Sequence, residues 1–521
     1  MQNLPIGISS FSRIRENNYL YIDKTEYLYN LITTGTYYFL SRPRRFGKSL
    51  LVSTLRCLFE GKRELFKGLW IYDRWDWSRF YPVIHIDFNA ISCDEPVQLK
   101  EKLLNRLYDI GTEHGIEVKN NTLPECFEEL ILKINKKYKE EVVFLIDEYD
   151  RPIINHIGMG EGRLEIAKAN REVLRTFYGV IKAGDVQDVT RFVLLTGVSK
   201  FSKVSVFSEL NNLTDLTMHT RYWAILGITE EELERYLVPY IEEYCRHRNI
   251  ALEEGKRQLR EYYNGYRFSE EGESVYNPYS LLRCLEERKI GNWWFETGTP
   301  TVLVNLIKET QYPILHIEDM KLKQAAFSTY EIEDLRIEAL LFQTGYITIK
   351  NERNGIYQLG YPNKEVKTSF LDVLFEKIVG YRDPEKLEKR YFIEEKLEQG
   401  DLQGFIDIIK AIYSGIPYTL EYKLNEAHFH TLFYVMLSSM GIRAETEVLT
   451  SRGRIDMVVE IGDKIYIIEF KCNQESEKAI EQIKENRYAD RYRKEGKELY
   501  LIGINFSTQG KNIADWKFER I

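Results

Sequence analysis

Short apolar runs separated by longer amphipathic stretches make up roughly the first 225 residues of the chain. Each run is rich in β-branched and aromatic residues, which is typical of strands in a parallel sheet that is covered on both faces. The stretches between the runs are long enough for crossover helices, so the pattern predicts an α/β layer. The predicted strands are 36–40, 82–88, 141–147, 191–197 and 222–228.

The pattern changes between about residues 229 and 385. Thr229 is followed three residues later by Glu232, which is a capping-box signature, and an amphipathic helix continues from it. Residues 338–366 predict a helix and then a hairpin, with the turn signal NERNG between YITIK and IYQLGY. We interpret this region as a helical lid followed by a winged-helix-like unit.

A third unit begins near residue 386. Its pattern predicts helices within 386–440, a strand pair within 454–471, a helix over 475–493 and a strand over 498–506. The three patterns together predict domains at 1–228, 229–385 and 386–521.

Composition and charge narrow the class of protein. Hydrophobic residues make up 44% of the 521 residues, which is enough for folded cores. The net charge of −8, from 72 basic and 80 acidic residues, argues against a uniformly basic coat for DNA. Six cysteines without a C-x-x-C pair indicate a reducing compartment. Without a signal peptide or a long apolar run, we expect a cytoplasmic protein with no membrane contact.

The segment SRPRRFGKSLLVSTLRC, residues 41–57, has the ending of a phosphate-binding loop. Gly47-Lys48-Ser49 lies between a predicted strand and a predicted helix, as the pattern G-x-x-x-x-G-K-[ST] requires, but position 42 is Arg where the pattern has glycine. Backbone N–H groups would surround a phosphate, Lys48 would neutralise its charge, and the Ser49 hydroxyl would bind Mg²⁺. A chance G-K-S on a basic loop is the alternative. The candidate nucleotide-binding residues are Arg42, Arg45, Phe46, Gly47, Lys48, Ser49 and Leu50.

Two later strands end in polar residues that suit the same site. VVFLIDEYD places Asp147 and Glu148 at the end of a buried strand, where the first acid would bind Mg²⁺ and the second would orient the attacking water. Thr196 ends the strand RFVLLTG and could contact the γ-phosphate or that water. A solvated strand end and a strand-terminal cap are the alternatives. The order of the elements, each after a buried strand, favours an ATP site.

Several segments resemble the AAA-ATPase-like family of bacterial proteins. They are LPIGISSFSRIRENNYLYIDKTEYL, FLSRPRRFGKSLLVSTLRCLFEG, VVFLIDEYDRPI, LLTGVSKFSKVSVFSELNNLTDLT, YYNGYRFS, VYNPYSLL and FETGTP, and the match runs over roughly residues 5–285. The resemblance implies a P-loop domain of the ASCE/AAA-like class. It also implies that R-P-R-R-F-G-K-S is the usual loop, so Arg42 is a family feature. Arg221 or Arg267 could then act as a sensor or finger arginine, with a surface ion pair as the alternative.

The stretch GRIDMVVEIGDKIYIIEFKCN, residues 453–473, predicts a hairpin with Gly462-Asp463 as a two-residue turn. In that register Asp456 lies opposite Glu469, and Glu469 shares a face with Lys471. Two facing carboxylates repel, and a bound Mg²⁺ would remove that penalty. The metal would polarise a phosphodiester and activate water, while Lys471 would stabilise the developing charge. An ordinary hairpin with a charged outer face is the alternative.

The order helix, strand, hairpin, E-x-K, helix over about residues 386–521 resembles the PD-(D/E)-x-K nuclease superfamily. By this resemblance Asp456, Glu469 and Lys471 match the core triad, and Glu426 matches the acid on the preceding helix. Gln482, with Tyr488, matches the motif on the following helix. Ile455 stands where the superfamily has proline before the aspartate.

The two halves together predict an ATP-dependent or ATP-regulated nuclease that uses Mg²⁺ and cleaves DNA in preference to RNA. The alternative is an ATPase with a signalling or scaffold role, whose nuclease-like domain only binds nucleic acid or a partner protein. P-loop ATPases often complete their site with an arginine from a neighbouring copy, so the sequence leaves a homo-oligomer open.

Overall fold

The computed structural model describes residues 1–91, 94–157, 160–200, 212–294, 301–310, 312–328, 332–333, 335–379, 389–414, 425–493 and 496–521. This part of the chain forms two compact units. The first comprises residues 1–307 and 319–363, and the second comprises residues 308–318 and 364–521. The finer division into domains 1–228, 229–385 and 386–521 stays a prediction.

A five-stranded parallel sheet forms the centre of the first unit, with the strand order β2-β3-β4-β1-β5. All six residues of β3 are buried, as expected for a sheet that is covered on both faces. Because all strands are parallel, the ends of β1, β3 and β4 lie at the same edge of the sheet. The strands are β1 (Tyr37–Ser41), β2 (Val83–Asp87), β3 (Val142–Asp147), β4 (Thr190–Gly197) and β5 (Thr214–Asp215).

The first four predicted strands of this sheet are confirmed, and the fifth, at 222–228, is wrong. Thr220–Tyr222 forms a 3-10 turn, and the chain continues in turns and bends to Gly227, which has a φ of 89°. The run is buried, so its apolar character indicated burial but could not distinguish a strand from packed turns. The fifth strand is instead β5, which pairs with β1 through Thr214 and Asp215.

Helices connect these strands and continue beyond them. Those of the first unit are α1 (Phe11–Glu16), α2 (Thr25–Thr34), α3 (Lys48–Phe59), α4 (Pro96–Glu113), α5 (Leu123–Tyr138), α6 (Arg151–Ile154), α7 (Glu161–Gly179), α8 (Gly184–Gln187), α9 (Glu230–Tyr236), α10 (Val238–Arg248), α11 (Leu252–Tyr263), α12 (Pro278–Glu287), α14 (Gln324–Phe327) and α15 (Ile337–Thr344). Helix α13 (Thr301–Thr310) spans the boundary between the two units.

The middle of the chain is helical, as predicted, and contains one small antiparallel sheet. The capping box of Thr229 and Glu232 is present at the start of α9, although the helix breaks at Leu237, just before Pro239. Helix α15 is followed by the predicted hairpin of β7 (Thr348–Arg353) and β8 (Ile356–Gly360). Its turn residues Asn354 and Gly355 both have positive φ, as a two-residue hairpin turn requires. Strand β6 (Met320–Lys323) pairs with β8.

The second unit contains a mixed five-stranded sheet with the order β13-β12-β11-β10-β9. Strand β12 runs parallel to β11, and the other neighbours are antiparallel. The strands are β9 (Ala444–Leu449), β10 (Arg454–Ile461), β11 (Lys464–Cys472), β12 (Glu498–Ser507) and β13 (Asn512–Arg520). The helices are α16 (Lys364–Val379), α17 (Ile393–Gln399), α18 (Leu402–Tyr413), α19 (Glu426–Ser439) and α20 (Ser476–Glu485).

In the part of the chain that the structure describes, we find no helix with the length and apolar character needed to span a bilayer.

Candidate functional site

The G-K-S loop joins the end of β1 to the start of α3, as the sequence predicts. Gly47 precedes α3 with a φ of 95°, and Arg45 has a φ of 66°. The left-handed conformation at Gly47 suits glycine because a side chain there would be strained. The first N–H groups of α3 have no carbonyl partner within the helix, so the loop and the helix start offer N–H donors for an anion.

Lys48 folds its side chain back over the loop. Its ammonium donates to the carbonyl oxygens of Arg42 and Pro43, at 3.0 and 3.2 Å. Burial lowers the pKa of Lys48, while the nearby carboxylates of Glu148 and Asp147 oppose that shift. The charge is thus held beside the loop, where a phosphate would compete with the two carbonyls for it.

A pocket of about 530 Å³ opens beside the loop and α3. This volume lies within the range of about 300–1,000 Å³ that is usual for small-molecule sites. The N-terminal segment 5–9 and the start of α12 also line the pocket, so it extends beyond the phosphate loop. The lining residues from the loop region are Arg44, Arg45, Gly47, Lys48, Ser49 and Leu50. The acidic lining residues are Glu148 and Asp150, and those from α12 are Pro278, Tyr279 and Leu282.

Asp147 and Thr196 lie together at the ends of β3 and β4. The Thr196 hydroxyl donates to the Asp147 carboxylate at 2.5 Å, and both residues are buried. The structure therefore brings these two candidates to one point behind the pocket lining. The contact of Thr196 with a γ-phosphate, and the binding of Mg²⁺ by Asp147 and Ser49, stay predictions.

Glu148 lines the pocket in a strained backbone conformation. Its φ is 55°, in the left-handed region that residues other than glycine seldom adopt. Strain of this kind persists only where the surrounding fold imposes it, and it is frequent at functional sites. A position in the pocket lining is what the predicted water-orienting role would need.

Arg42 is placed differently from the prediction. Its side chain is buried, with a relative exposure of 1%, and its guanidinium donates to the carbonyl oxygens of Ser41, Thr217 and Tyr222. It also lies 4.1 Å from the ring centre of Phe268, and burial lowers its pKa to about 9. This geometry favours a structural role for Arg42 over the predicted contact with phosphate.

The rest of the loop is held by the middle region of the same unit. The buried Phe46 ring packs edge-on against the rings of Tyr266 and Phe268, so only its backbone can face a ligand. Trp294 donates its indole N–H to the Arg44 carbonyl at 3.1 Å. Side chains from 229–363 thus hold the loop in place.

One residue that sequence reasoning missed is Asp150. Its carboxylate accepts from the backbone N–H groups of Val198 and Ser199, at 3.0 and 2.6 Å, and it lines the pocket. Burial raises its pKa to about 7, and the neighbouring Glu148 adds to the shift. Asp150 ties the end of β3 to the segment after β4. The last acid of the D-E-Y-D run, Asp150 itself, was the signal in the sequence.

Arg267 has partners that do not involve the pocket. Its guanidinium donates to backbone carbonyls of the loop 269–272, including that of Gly272 at 2.8 Å. Arg221 is exposed. Neither residue lines the pocket beside the loop, so a sensor role for either stays a prediction.

The C-terminal hairpin has the register that the sequence predicts. Ile461 pairs with Lys464 and Met457 with Ile468, around a turn in which Gly462 has a φ of 55°. Asp456 therefore lies next to Glu469: its N–H donates to a Glu469 carboxylate oxygen at 3.3 Å. The Asp456 carboxylate in turn accepts from the Phe470 N–H at 2.9 Å.

Glu469 is fully buried, with no exposed surface. Burial, together with the adjacent Asp456 carboxylate, raises the pKa of this carboxyl to about 9. Gln482, on α20, donates its amide to Glu469 at 2.8 Å and accepts from the Lys471 ammonium at 2.7 Å. Lys471 lies 4.0 Å from the same carboxylate oxygen. The four residues form one connected group.

Helix α19 adds two residues beside this group. Glu426 is its first residue, and Asn425 caps it. Burial raises the pKa of Glu426, Lys471 opposes the shift, and Asp456 adds to it, so Glu426 lies within the field of both. His430 is buried, bonds to the backbone of Asp456, and packs 5.0 Å from the Phe470 ring. His428 is only partly buried, so the two histidines differ in environment.

Comparison with known proteins identifies both halves. A family model described as "Predicted AAA-ATPase" matches residues 5–207, and a "PD-(D/E)XK nuclease superfamily" model matches residues 424–516. An "Uncharacterized protein in vnfD 5'region" from Azotobacter chroococcum mcd 1 is 38% identical over 533 residues, covering 100% of this chain and 99% of its own length. The chain belongs to the predicted AAA-ATPase family and carries a C-terminal PD-(D/E)XK nuclease-superfamily domain.

The predicted AAA-ATPase match includes the loop, Asp147, Glu148 and Thr196, and the PD-(D/E)XK match includes Glu426 and the Asp456–Gln482 group. Two stretches on which the resemblance also rests, 201–211 within LLTGVSKFSKVSVFSELNNLTDLT and FETGTP at 295–300, lie outside the described residues.

The connected group of Asp456, Glu469, Lys471 and Gln482 suits a divalent cation, although it does not supply all the ligands that such an ion needs. Across the described residues, no three side chains of His, Cys, Asp or Glu converge as a metal cluster. Asp456 and Glu469 are two adjacent carboxylates, and burial together with the charge of Asp456 raises the pKa of Glu469. Mg²⁺ commonly takes one or two carboxylates and completes its shell with water and phosphate oxygens, so this pair suits it.

Proposed function

We propose that this protein is an ATP-dependent or ATP-regulated nuclease that uses Mg²⁺ to cleave DNA, in preference to RNA, in the cytoplasm. The observation that carries the proposal is the buried carboxylate Glu469, placed beside Asp456 and joined through Gln482 to Lys471. A hairpin with a purely structural role would gain nothing from a carboxylate whose burial opposes its ionisation.

In this proposal Asp456 and Glu469 would bind Mg²⁺, which when bound polarises a phosphodiester and lowers the pKa of a water. Lys471 would stabilise negative charge that develops on the phosphate oxygens. Gln482 would hold both Lys471 and Glu469, because its amide oxygen and nitrogen each bond to one of them. Glu426 would contribute negative charge from the start of α19.

The ATP half of the proposal rests on the pocket beside the loop. The loop amides, Lys48 and Arg45 would bind the phosphates, and Glu148 would orient water for hydrolysis. Ser49 and Asp147 would hold the Mg²⁺ of the nucleotide. Because Phe46 and Arg42 pack against Phe268, a conformational change of the loop on ATP binding would move residues of the middle region.

The direct test is cleavage of plasmid, single-stranded DNA and single-stranded RNA by the full chain with Mg²⁺ or Mn²⁺, with and without ATP. We expect cleavage of DNA that depends on the divalent ion. Glu469→Gln and Lys471→Ala should each lower the rate by about a hundredfold or more, as removal of a transition-state contact does.

Matched controls come from the same two strands. Glu460→Gln on β10 and Lys464→Ala on β11 change an acid and a base that pair outside the group, with Lys497 and Asp463. They should leave the rate unchanged. Equal cleavage by all variants would indicate a contaminating nuclease. No cleavage under any condition, with ATP binding intact, would support the signalling or scaffold role instead.

A further inference from the structure

Strand β13 is the terminal strand of the C-terminal sheet, with β12 on one side. The pairing with β12 shifts register between Ile513 and Asp515, and from Asp515 to Arg520 it is regular. A bulge is one of the devices that protect a sheet edge, but here it lies at the beginning of the strand. The last six residues of β13 therefore present a straight edge.

The hydrogen bonds show which backbone groups point outward. The Ile521 N–H donates to the Leu499 carbonyl at 3.0 Å, so Ile521 faces β12. In an antiparallel pair the inward and outward residues alternate. Lys517 and Glu519 thus also face β12 with their backbone groups, while those of Trp516, Phe518 and Arg520 point to the open edge.

Two aromatic side chains alternate with charged ones along this segment. Phe518 keeps 49% of its surface exposed, and its ring stacks on Trp516 with centres 5.8 Å apart and planes at 14°. Lys517 and Glu519 form ion pairs with Glu477 and Lys484, both on α20. Exposed aromatic residues along an unpaired edge commonly mark a surface that binds another chain.

We propose that β13 pairs antiparallel with β13 of a second copy of this chain, with the two-fold axis at Phe518. In this register Phe518 faces Phe518 of the second copy, and their outward N–H and carbonyl groups exchange hydrogen bonds. Lys517 of each copy lies opposite Glu519 of the other. Trp516 lies opposite Arg520, which permits a cation–π contact.

Charge excludes the neighbouring registers. With the two-fold axis at Lys517, the two copies would place Lys517 opposite Lys517 and Asp515 opposite Glu519. With the axis at Glu519, two glutamates would lie opposite each other. Like charges in these positions destabilise an antiparallel pair. An axis at Trp516 would need Asp515 to pair with Lys517. The Asp515 carboxylate already accepts from the Ser476 N–H and the Asn505 amide, at 2.8 and 2.6 Å, and the shift near Ile513 interrupts that overlap.

The test measures the mass of the full chain by sedimentation velocity over a wide range of concentration. We expect the unmodified chain to reach twice the monomer mass. Lys517→Glu and Glu519→Lys should each remain monomeric, because each places like charges opposite each other twice. An equimolar mixture of the two variants should form a dimer, since both pairs between unlike copies are then attractive.

Comparison of the mixture with each variant alone distinguishes a lost interface from a folding defect. The intramolecular changes in each variant are the same alone and in the mixture, so only the contact between copies differs. Phe518→Pro is a second variant: it removes one outward N–H and leaves the bonds to β12, and it should also be monomeric. A monomeric unmodified chain would overturn the proposal. So would a dimer whose mass none of these changes affects, or a mixture that stays monomeric.

Discussion

Among individual residues, Asp150 is a position where the effect of a lost charge can be measured apart from the effect of lost hydrogen bonds. Its carboxylate accepts from the N–H groups of Val198 and Ser199, and the residue lines the pocket beside the G-K-S loop. An asparagine oxygen can accept both bonds, whereas an alanine can accept neither. The two substitutions therefore report on different properties of the same position.

We predict that Asp150→Ala lowers the free energy of unfolding by about 2–3 kcal/mol, because two buried N–H groups lose their acceptor. Asp150→Asn should cost less than half of that. Chemical denaturation measures both values, and nucleotide binding should weaken in the alanine variant only. Equal losses for the two variants would show that the charge of Asp150, and not its hydrogen bonds, matters.

Glu469 makes a pH-dependent contribution to stability. Its folded-state pKa is raised from the ordinary value of 4.5 to about 9, so the folded state favours the protonated carboxyl. The stability that this group contributes is complete below the unfolded pKa and is lost as the pH rises toward the folded pKa.

With a chelator present, Glu469→Gln should therefore raise the Tm, and the gain should increase with pH across the window from 4.5 to about 9. Added Mg²⁺ should reduce the gain, because a bound cation stabilises the ionised carboxylate of the unmodified chain. Thermal melts at several pH values measure this. A gain that does not change with pH would contradict the account of Glu469.

At the level of secondary-structure elements, the phosphate loop departs from the usual glycine pattern for a structural reason. Arg42 bridges the end of β1 to the carbonyls of Thr217 and Tyr222, beyond β5. A glycine there would remove all three bonds, and of these carbonyls that of Tyr222 would keep the Ile225 N–H, at 3.2 Å, as a donor. The conformational freedom of glycine is instead used at Gly47, where φ is 95°.

We predict that Arg42→Gly, which restores the standard pattern, lowers the free energy of unfolding by about 3 kcal/mol or more and weakens ATP binding. Arg45→Gly is the matched control, because Arg45 is exposed and already has a φ of 66°, which glycine adopts freely. Its stability should hold or rise. Tighter ATP binding by Arg42→Gly would contradict a structural role for Arg42.

The elements that could be predicted from the sequence are those with a strong local signal. Buried β-branched runs predicted β1 to β4, and the turn signals predicted both hairpins, the C-terminal one with its register. The run at 222–228 was wrong because burial alone does not distinguish a strand from turns. Strand β13 was not predicted, since its alternation of charged and aromatic residues makes sense only beside β12.

The same limit applies to the candidate sites. The hairpin register placed Asp456 and Glu469 together because side chains in strands alternate. The inward turn of Arg42 and the bridge made by Asp150 depend on β4, β5 and the segments that follow, which lie far away in sequence. No local pattern encodes such contacts, so the directions of these side chains could not be predicted from the sequence.

For the chain as a whole, the proposed function requires that ATP binding in the first unit regulates DNA cleavage in the second. We predict that Lys48→Ala abolishes ATP binding and makes the cleavage rate independent of ATP. Glu148→Gln should retain binding and lose hydrolysis. Filter binding, phosphate release and cleavage assays measure the three effects. Cleavage by Lys48→Ala that still responds to ATP would contradict a regulatory role for the pocket.

The most direct measurement is the anomalous scattering of crystals grown with Mn²⁺. We expect an anomalous peak between the carboxylates of Asp456 and Glu469, at about 2.0–2.2 Å from an oxygen of each. The peak should be absent from crystals of Glu469→Gln. Saturating Mn²⁺ without a peak there, in crystals whose Asp456 and Glu469 side chains are ordered, would contradict the central claim that this group is a metal-dependent cleavage centre.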